Sequence, residues 1–260
     1  MTEKTFPQAT PETCPAIAVS HLTKRFRIRH MGSTLKSELV RAFRRREIEE
    51  FTALQDLSFE VPHGQTVAVI GRNGSGKSTL LSILARVYRP TTGTVQLRNR
   101  KGAPARIAPL LELGAGFQPD LTGYQNVEFY GAILGLHSGL LREKLDRIVA
   151  FAELEKKMDT RLEGWNDGAK LRLGFSVAVH TDPDILLVDE VLAVGDEAFQ
   201  NKCYRLIDDL QAQGKTILFV SHDLPVVERV ASRVLWLNRG VIQQDGDVET
   251  VLTAYRAASA

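Results

Sequence analysis

Two runs of four apolar residues, 185–188 in "ILLVDE" and 217–220 in "TILFVSH", stand out from a chain that mostly mixes apolar and polar positions. Each is the right length for a strand buried on both faces, and "TVAVI" (66–70) reads the same way. "AIAVSHLTKRFRIR" (16–29), "ALQDLSFEV" (53–61), "GTVQLRNR" (93–100) and "ARIAPLLEL" (105–113) predict further strands. "TLLSILARVY" predicts a helix stopped by Pro90. From Thr122 to about Phe151 the period becomes helical, with Leu141, Leu145, Ile148 and Val149 on one face. "VLWLNRGVIQQDG" reads as a hairpin that closes the pattern. Strands and helices alternate on both sides of the helical stretch, which predicts an α/β core on a parallel sheet interrupted by a helical insertion.

Composition adds only bounds. The 260 residues, 43% hydrophobic and 25% charged, suit one large soluble domain, and a net charge of +2 does not by itself demand a polyanionic partner. Cys14 and Cys203 lack metal-ligand or disulfide-framework spacing, which suits a reducing compartment. The opening "MTEKTFPQATPETCP" has no apolar core of a signal peptide and reads as a disordered lead-in over 1–15, with a single domain over 16–260. No apolar run is long enough to span a bilayer, so a membrane role needs a partner or a surface contact.

Candidate chemistry starts after the first buried strand. Gly71-Arg72-Asn73-Gly74-Ser75-Gly76-Lys77-Ser78 matches GxxxxGK[ST], and Thr79 opens the helix behind it. Such a loop turns successive backbone N–H groups, aided by the helix dipole, onto a phosphate. Lys77 suits the β- and γ-phosphates, and the Ser78 hydroxyl suits Mg²⁺. Asp189 ends an apolar strand where α/β sheets place ligand groups, and would hold the metal shell. Glu190 follows it as the candidate to orient or deprotonate water. The pattern predicts binding and hydrolysis of a nucleoside triphosphate.

Three further segments carry a resemblance. His222 follows another apolar strand in "TILFVSHDLP", and "GWNDGAKLRLGF" (164–175) precedes "ILLVDE". With the phosphate loop and the Asp-Glu pair in this order, the chain resembles the ATP-binding-cassette (ABC) ATPases over about residues 16–250. "LLELGAGFQPDLTGYQN" (110–126) and "DEVLAVGDEAFQNKC" (189–203) look like the ATPase subunits that export capsule, O-antigen or teichoic-acid polysaccharides. The resemblance implies a P-loop, RecA-like core with an N-terminal antiparallel β subdomain and a helical subdomain (120–178) that carries the signature.

The resemblance also distributes roles. His222 would contact the γ-phosphate, and Asp196 matches an aspartate that works across the dimer. No glutamine sits where the family keeps its metal-side one; Glu112 is the nearest polar candidate, with Gln118 the alternative. Phe26 aligns with the aromatic that stacks on adenine, with Phe51 as the runner-up. Trp165, Asn166, Asp167, Gly168 and Ala169 fall on the family's L-S-G-G-Q. Gly168 keeps the glycine that lets backbone approach phosphate, and Asn166 can donate a hydrogen bond in place of serine. Asp167 departs from the pattern: it either repels the phosphate or turns outward to cap the helix.

Between Arg27 and Phe51 lies a basic insertion. Leu35, Leu39 and Phe43 recur at helical spacing beside Lys36, Arg41, Arg44, Arg45 and Arg46, so 34–46 reads as a short amphipathic helix. It would lie on a headgroup layer, on an acidic partner groove or on its own domain. No aromatic interleaving supports nucleic-acid binding, and none is expected. The resemblance implies an ATP- and Mg²⁺-dependent homodimer beneath two integral membrane permease subunits, at the cytoplasmic face of the inner membrane, moving a lipid-linked polysaccharide. The chain's end at "VETVLTAYRAASA" leads one to expect no added carbohydrate-binding domain. The competing readings are a soluble ABC-type ATPase acting on nucleic acid or ribosome, and a P-loop kinase or regulatory GTPase, which would need neither His222 nor a signature.

Overall fold

The structure, a computed structural model, describes residues 14–28, 49–111, 116–189 and 196–259. The basic helix expected over 34–46 lies outside these residues, as does nearly all of the lead-in.

Two sheets form the frame. In the first, β1 (Ile17–Ile28) lies between β2 (Glu49–Val61) and β4 (Thr92–Leu97), antiparallel to both. The second has the order β5 (Ile107–Leu110), β6 (Ile185–Asp189), β7 (Thr216–Val220), β3 (Thr66–Ile70), β8 (Arg233–Asn238), β9 (Val241–Gly246). Its first five strands run parallel and β9 turns back antiparallel, which makes the expected hairpin.

The uninterrupted apolar runs are explained by burial on both faces. Alternate residues Val67, Val69, Ile185, Leu187, Leu218 and Val220 pack with the apolar side of β1 and β2 and with helix α1 (Lys77–Leu84). The others, including Ile70, Leu186, Val188 and Phe219, meet Phe175, Phe199, Cys203 and Val251 on the opposite face. A phenylalanine as fully buried as Phe175 contributes roughly 1.5–3 kcal/mol.

α1 ends at Leu84, earlier than Pro90 alone implies. Arg86 adopts φ +64, Val87 N–H reaches back to the Ser82 carbonyl, and Arg86 N–H reaches Ile83. That is a Schellman stop, built here on arginine where glycine is usual. The predicted helical stretch is two helices, α2 (Gly123–Ile133) and α3 (Ser138–Ala152), parted near Gly135. Thr122 and Gln125 form a reciprocal capping box at the start of α2.

α4 (Asp167–Val179) joins this helical subdomain to the core. Leu173 and Val177 face Val127, Tyr130 and Ile148 in the subdomain, whereas Phe175, Ala178 and Val179 face the sheet. α5 (Glu197–Ala212), α6 (Leu224–Val230) and α7 (Val248–Ser259) cover the same side of the sheet. Among the described residues, no helix is long and apolar enough to cross a membrane.

Candidate functional site

The strand order brings the motif ends together. Val69 of β3 is level with Val220 of β7, which is level with Asp189 of β6. The phosphate loop leaving β3, the Ser221-His222 turn leaving β7 and Asp189 therefore emerge side by side at the carboxyl edge, where α/β sheets place ligands.

A cavity of about 560 Å³ opens there, lined by Asn73, Gly74, Gly76, Lys77, Ser78 and Thr79 of the loop together with Asp189, Leu111, Ala53 and Phe51. Lys77 is buried, and its ammonium donates to the carbonyls of Gly71 (2.8 Å) and Arg72 (3.2 Å), which holds it curled over the loop. Two glycines are required by neighbouring strands. Gly76, at φ +105, passes so close to β2 that a Cβ would meet the Ala53 carbonyl at 2.7 Å. Gly71, at φ +152, lies against the Leu237 carbonyl of β8. Gly71 and Ser75 do not line the cavity; the Ser75 hydroxyl is buried without a hydrogen-bond partner among the described residues, and the Ser75 carbonyl accepts the Gly240 N–H at 2.9 Å.

His222 is exposed just beyond β7, in a turn fixed by the Asp223 N–H donating to Ser221 Oγ at 3.0 Å. Glu190 and Glu112 lie outside the described residues, although each continues from a residue near the cavity: Glu190 from Asp189, Glu112 from Leu111. Gln118 is held by its backbone, which exchanges hydrogen bonds with the buried Asn126 side chain at 2.7 and 3.0 Å.

The two aromatics compared from sequence are partners across the β1–β2 ladder. Phe51 is 51% exposed and lines the cavity. Phe26 is half-buried, packs edge-on to Tyr88 at 5.5 Å with the Lys24 ammonium 4.8 Å above its ring, and does not line the cavity.

The signature-like segment lies at a second cavity, also of about 560 Å³, lined by Asn166, Gly168, Ala169, Arg172 and residues 153–157. Among the described residues, none lines both cavities. Asn166 is the N-cap of α4, its Oδ1 accepting the Ala169 N–H at 2.8 Å, so its amide NH₂ is the group left to donate. The Asp167 side chain, 96% exposed, points to solvent 3.8 Å from Lys170. Its suggested capping role is thus filled by Asn166. Trp165 is core, its indole N–H donating to Thr160 Oγ1 at 2.8 Å. Asp196 caps α5 through the Phe199 N–H at 3.0 Å. That bond first, and the Arg172 charge second, hold its carboxyl below the ordinary carboxylate range.

Comparison with known proteins decides the family. The model of the ABC transporter family matches residues 54–193. This chain belongs to that family. The ABC cassette is 41% identical over 95% of its length to an O-antigen export system ATP-binding protein of Klebsiella pneumoniae, of which it covers 99%. A protein with the same description from Myxococcus xanthus is 42% identical over 95% of the cassette, which spans 57% of that relative's length. A teichoic acids export ATP-binding protein of Bacillus anthracis is 37% identical over 92% of the cassette and 42% of that relative. Among solved structures, a dimeric bacterial ABC transporter cassette matches with a TM-score of 0.70 at 24% identity, over 89% of this chain and 98% of that one, which establishes the fold. The cassette is thus an ATP-binding protein and an ATPase.

Two residues of the cassette make contacts that no sequence motif marks. Asn126 is fully buried and donates to the carbonyls of Gln118, Leu121 and Thr122, at 3.0–3.1 Å. Its position in "GYQN" gave no hint of this, because its partners are set by how the preceding loop folds onto α2. Arg172 is the other, donating to Asp196 at 2.7 Å and to Glu153 at 3.3 Å.

Freed of a capping duty, the Asp167 carboxylate acts only through its charge. Asp167→Gly is expected to strengthen ATP-dependent dimerisation, most at low salt where charge is least screened. Sedimentation velocity at two salt concentrations measures it. Weaker dimerisation of the variant would make the carboxylate a needed contact.

Proposed function

We propose that this cassette powers export of a lipid-linked polysaccharide across the cytoplasmic membrane, working as a homodimer with two copies of a membrane permease at the cytoplasmic face. The 41% identity with the Klebsiella pneumoniae O-antigen export protein, over nearly the whole of both chains, carries the reading of cargo. The roles within the site rest on the convergence of Lys77, Ser78, Asp189 and His222 at one sheet edge.

ATP lies with its phosphates over residues 73–79 and its base on the exposed face of Phe51. Lys77 leaves the loop carbonyls for the β- and γ-phosphates. The Ser78 hydroxyl and Asp189 carboxylate line the same cavity and are oxygen donors of the hard type that suits Mg²⁺. When bound, Mg²⁺ supplies charge neutralisation at the phosphates. Glu190 orients and deprotonates water, and His222 contacts the γ-phosphate. Since the signature residues line a separate cavity, a second copy is needed to complete each site. The Asn166 amide and the Gly168 backbone of each chain meet the nucleotide held by the other. ATP closes the dimer, and hydrolysis opens it.

The test is co-purification with a candidate membrane permease expressed together with it, with ATPase assays in its presence and absence. Stimulation by the permease is expected; a chain that neither binds a permease nor responds to one defeats the export reading. In the same experiment, serine at Arg44, Arg45 and Arg46 is expected to weaken assembly or transport while nucleotide binding by the isolated chain stays intact. Unchanged assembly and transport would mean that the basic segment serves only its own domain.

A further inference from the structure

Charge is divided unevenly along the cassette. Residues 1–111 carry 18 lysines and arginines against 8 aspartates and glutamates, whereas residues 112–260 carry 15 against 23. Between Glu60 and Glu112 there are 8 basic residues and no acidic one. Such asymmetry, hidden in a net charge of +2, points to an anionic partner for the basic part.

The fold gathers some of this charge at the turn after α1. Arg86, at φ +64, takes a conformation that glycine adopts freely and arginine only at a cost. The turn it makes leaves Val87 64% and Tyr88 44% exposed, between the exposed Arg86 and Arg89. It is fastened to β1. The Lys24 ammonium donates to the Arg89 carbonyl at 2.9 Å, the Arg25 N–H to Thr91 Oγ1 at 2.9 Å, and the Thr91 N–H to the Thr23 carbonyl at 2.8 Å. Tyr88 stands edge-on to Phe26 at 5.5 Å, with the Lys24 ammonium 5.3 Å from the tyrosine ring centre and 4.8 Å from the other. Glu50, the β2 residue opposite Arg27, is occupied by that arginine at 3.1 Å.

We propose that the turn Arg86–Arg89, braced by Lys24, is a docking surface for an anionic phospholipid headgroup layer. A lone exposed valine calls for no explanation. Here a valine and a tyrosine stand together on a fastened turn, flanked on both sides by arginine. That is the composition of a surface that lies on a bilayer: the apolar tips enter the acyl boundary and the guanidinium groups meet lipid phosphates. A polyanion dissolved in water would use the arginines and leave Val87 wet. Because the turn is already tied to β1, little ordering accompanies docking. None of its four residues lines the nucleotide cavity, so the inference does not rest on the reading of that site or of the cargo.

The experiment is co-sedimentation of the full chain with vesicles of mixed phosphatidylglycerol and phosphatidylcholine, beside vesicles of phosphatidylcholine alone. Binding is expected to the mixed vesicles, and to weaken as salt rises. Arg86→Gly combined with Arg89→Gln is expected to weaken it about 25-fold, about five-fold for each charge removed from the membrane surface. Glycine suits the backbone at position 86, so the fold is kept. Val87→Ser is expected to weaken binding about ten-fold through lost apolar contact. Both variants keep ATP hydrolysis measured without vesicles. Should the arginine variant melt earlier than the wild type, Val87→Ser, made on a side chain already in water, carries the test. No binding to the mixed vesicles, equal binding to phosphatidylcholine alone, or binding unchanged in both variants overturns the proposal. So does binding that is lost only when serine replaces Arg44, Arg45 and Arg46, which would put the contact in that basic segment. Binding that needs the arginines but ignores Val87→Ser, with duplex DNA bound in the same way, overturns the lipid layer in favour of a soluble polyanion.

Discussion

Glu190→Gln is expected to keep ATP binding while lowering turnover by about 10²–10⁴, the usual contribution of a positioned general base. The amide matches the carboxylate in size but cannot take a proton from water. Glu190 directly follows Asp189, which lies on the nucleotide cavity beside Lys77 and Ser78, so the loss falls on the chemical step. Binding rests on the loop and is left intact. With ATP bound and not consumed, the dimer should accumulate, visible as an ATP-dependent shift in gel filtration that the wild type shows only transiently. Turnover by the variant near the wild-type rate would remove Glu190 from this role.

Gly71→Ala is expected to damage fold and site together. At φ +152 the backbone occupies a region that L side chains rarely adopt, which costs about 1–3 kcal/mol. A methyl group there would also overlap the Leu237 carbonyl of β8 and sit 2.7 Å from Ser75 Oγ, overpacking worth a further 1–3 kcal/mol or so. The sum, about 2–6 kcal/mol, is a large share of the roughly 5–15 kcal/mol that holds a domain folded. Since the Gly71 carbonyl also receives the Lys77 ammonium, any backbone shift that relieves the overlap moves the lysine as well. Calorimetry should show a lowered melting temperature, and ATP affinity should fall even in the fraction that remains folded. Wild-type stability and affinity together would mean that β8 yields to the methyl group.

Much of this was legible in the sequence, because some signals are local. The buried strands β3, β6 and β7 announce themselves as apolar runs, since a strand covered on both faces has no polar side to show. The phosphate loop reads directly, because phosphate binding needs a strand, a glycine-rich turn and a helix in immediate succession. The β8–β9 hairpin follows from its strand–turn–strand string, and the helical stretch after Thr122 from its period. Other features are decided by partners distant in sequence. Phe26 and Phe51 look equivalent as strand aromatics; only the approach of β2 to the loop puts Phe51 on the cavity and leaves Phe26 against Tyr88. Asn166 and Asp167 are both good capping residues, and the backbone entering α4 gives the cap to Asn166. Arg172 reads as one charge on an amphipathic helix until α3 and α5 bring Glu153 and Asp196 to it. The sequence by itself thus determined the elements and the strand–loop–helix motif between β3 and α1, because both depend on neighbours along the chain. The tertiary structure alone decided the strand order that brings Asp189 and the turn carrying His222 to the sheet edge where the loop of Lys77 begins, the aromatic offered at the cavity and the contacts of Arg172, because each depends on long-range packing that no local pattern encodes.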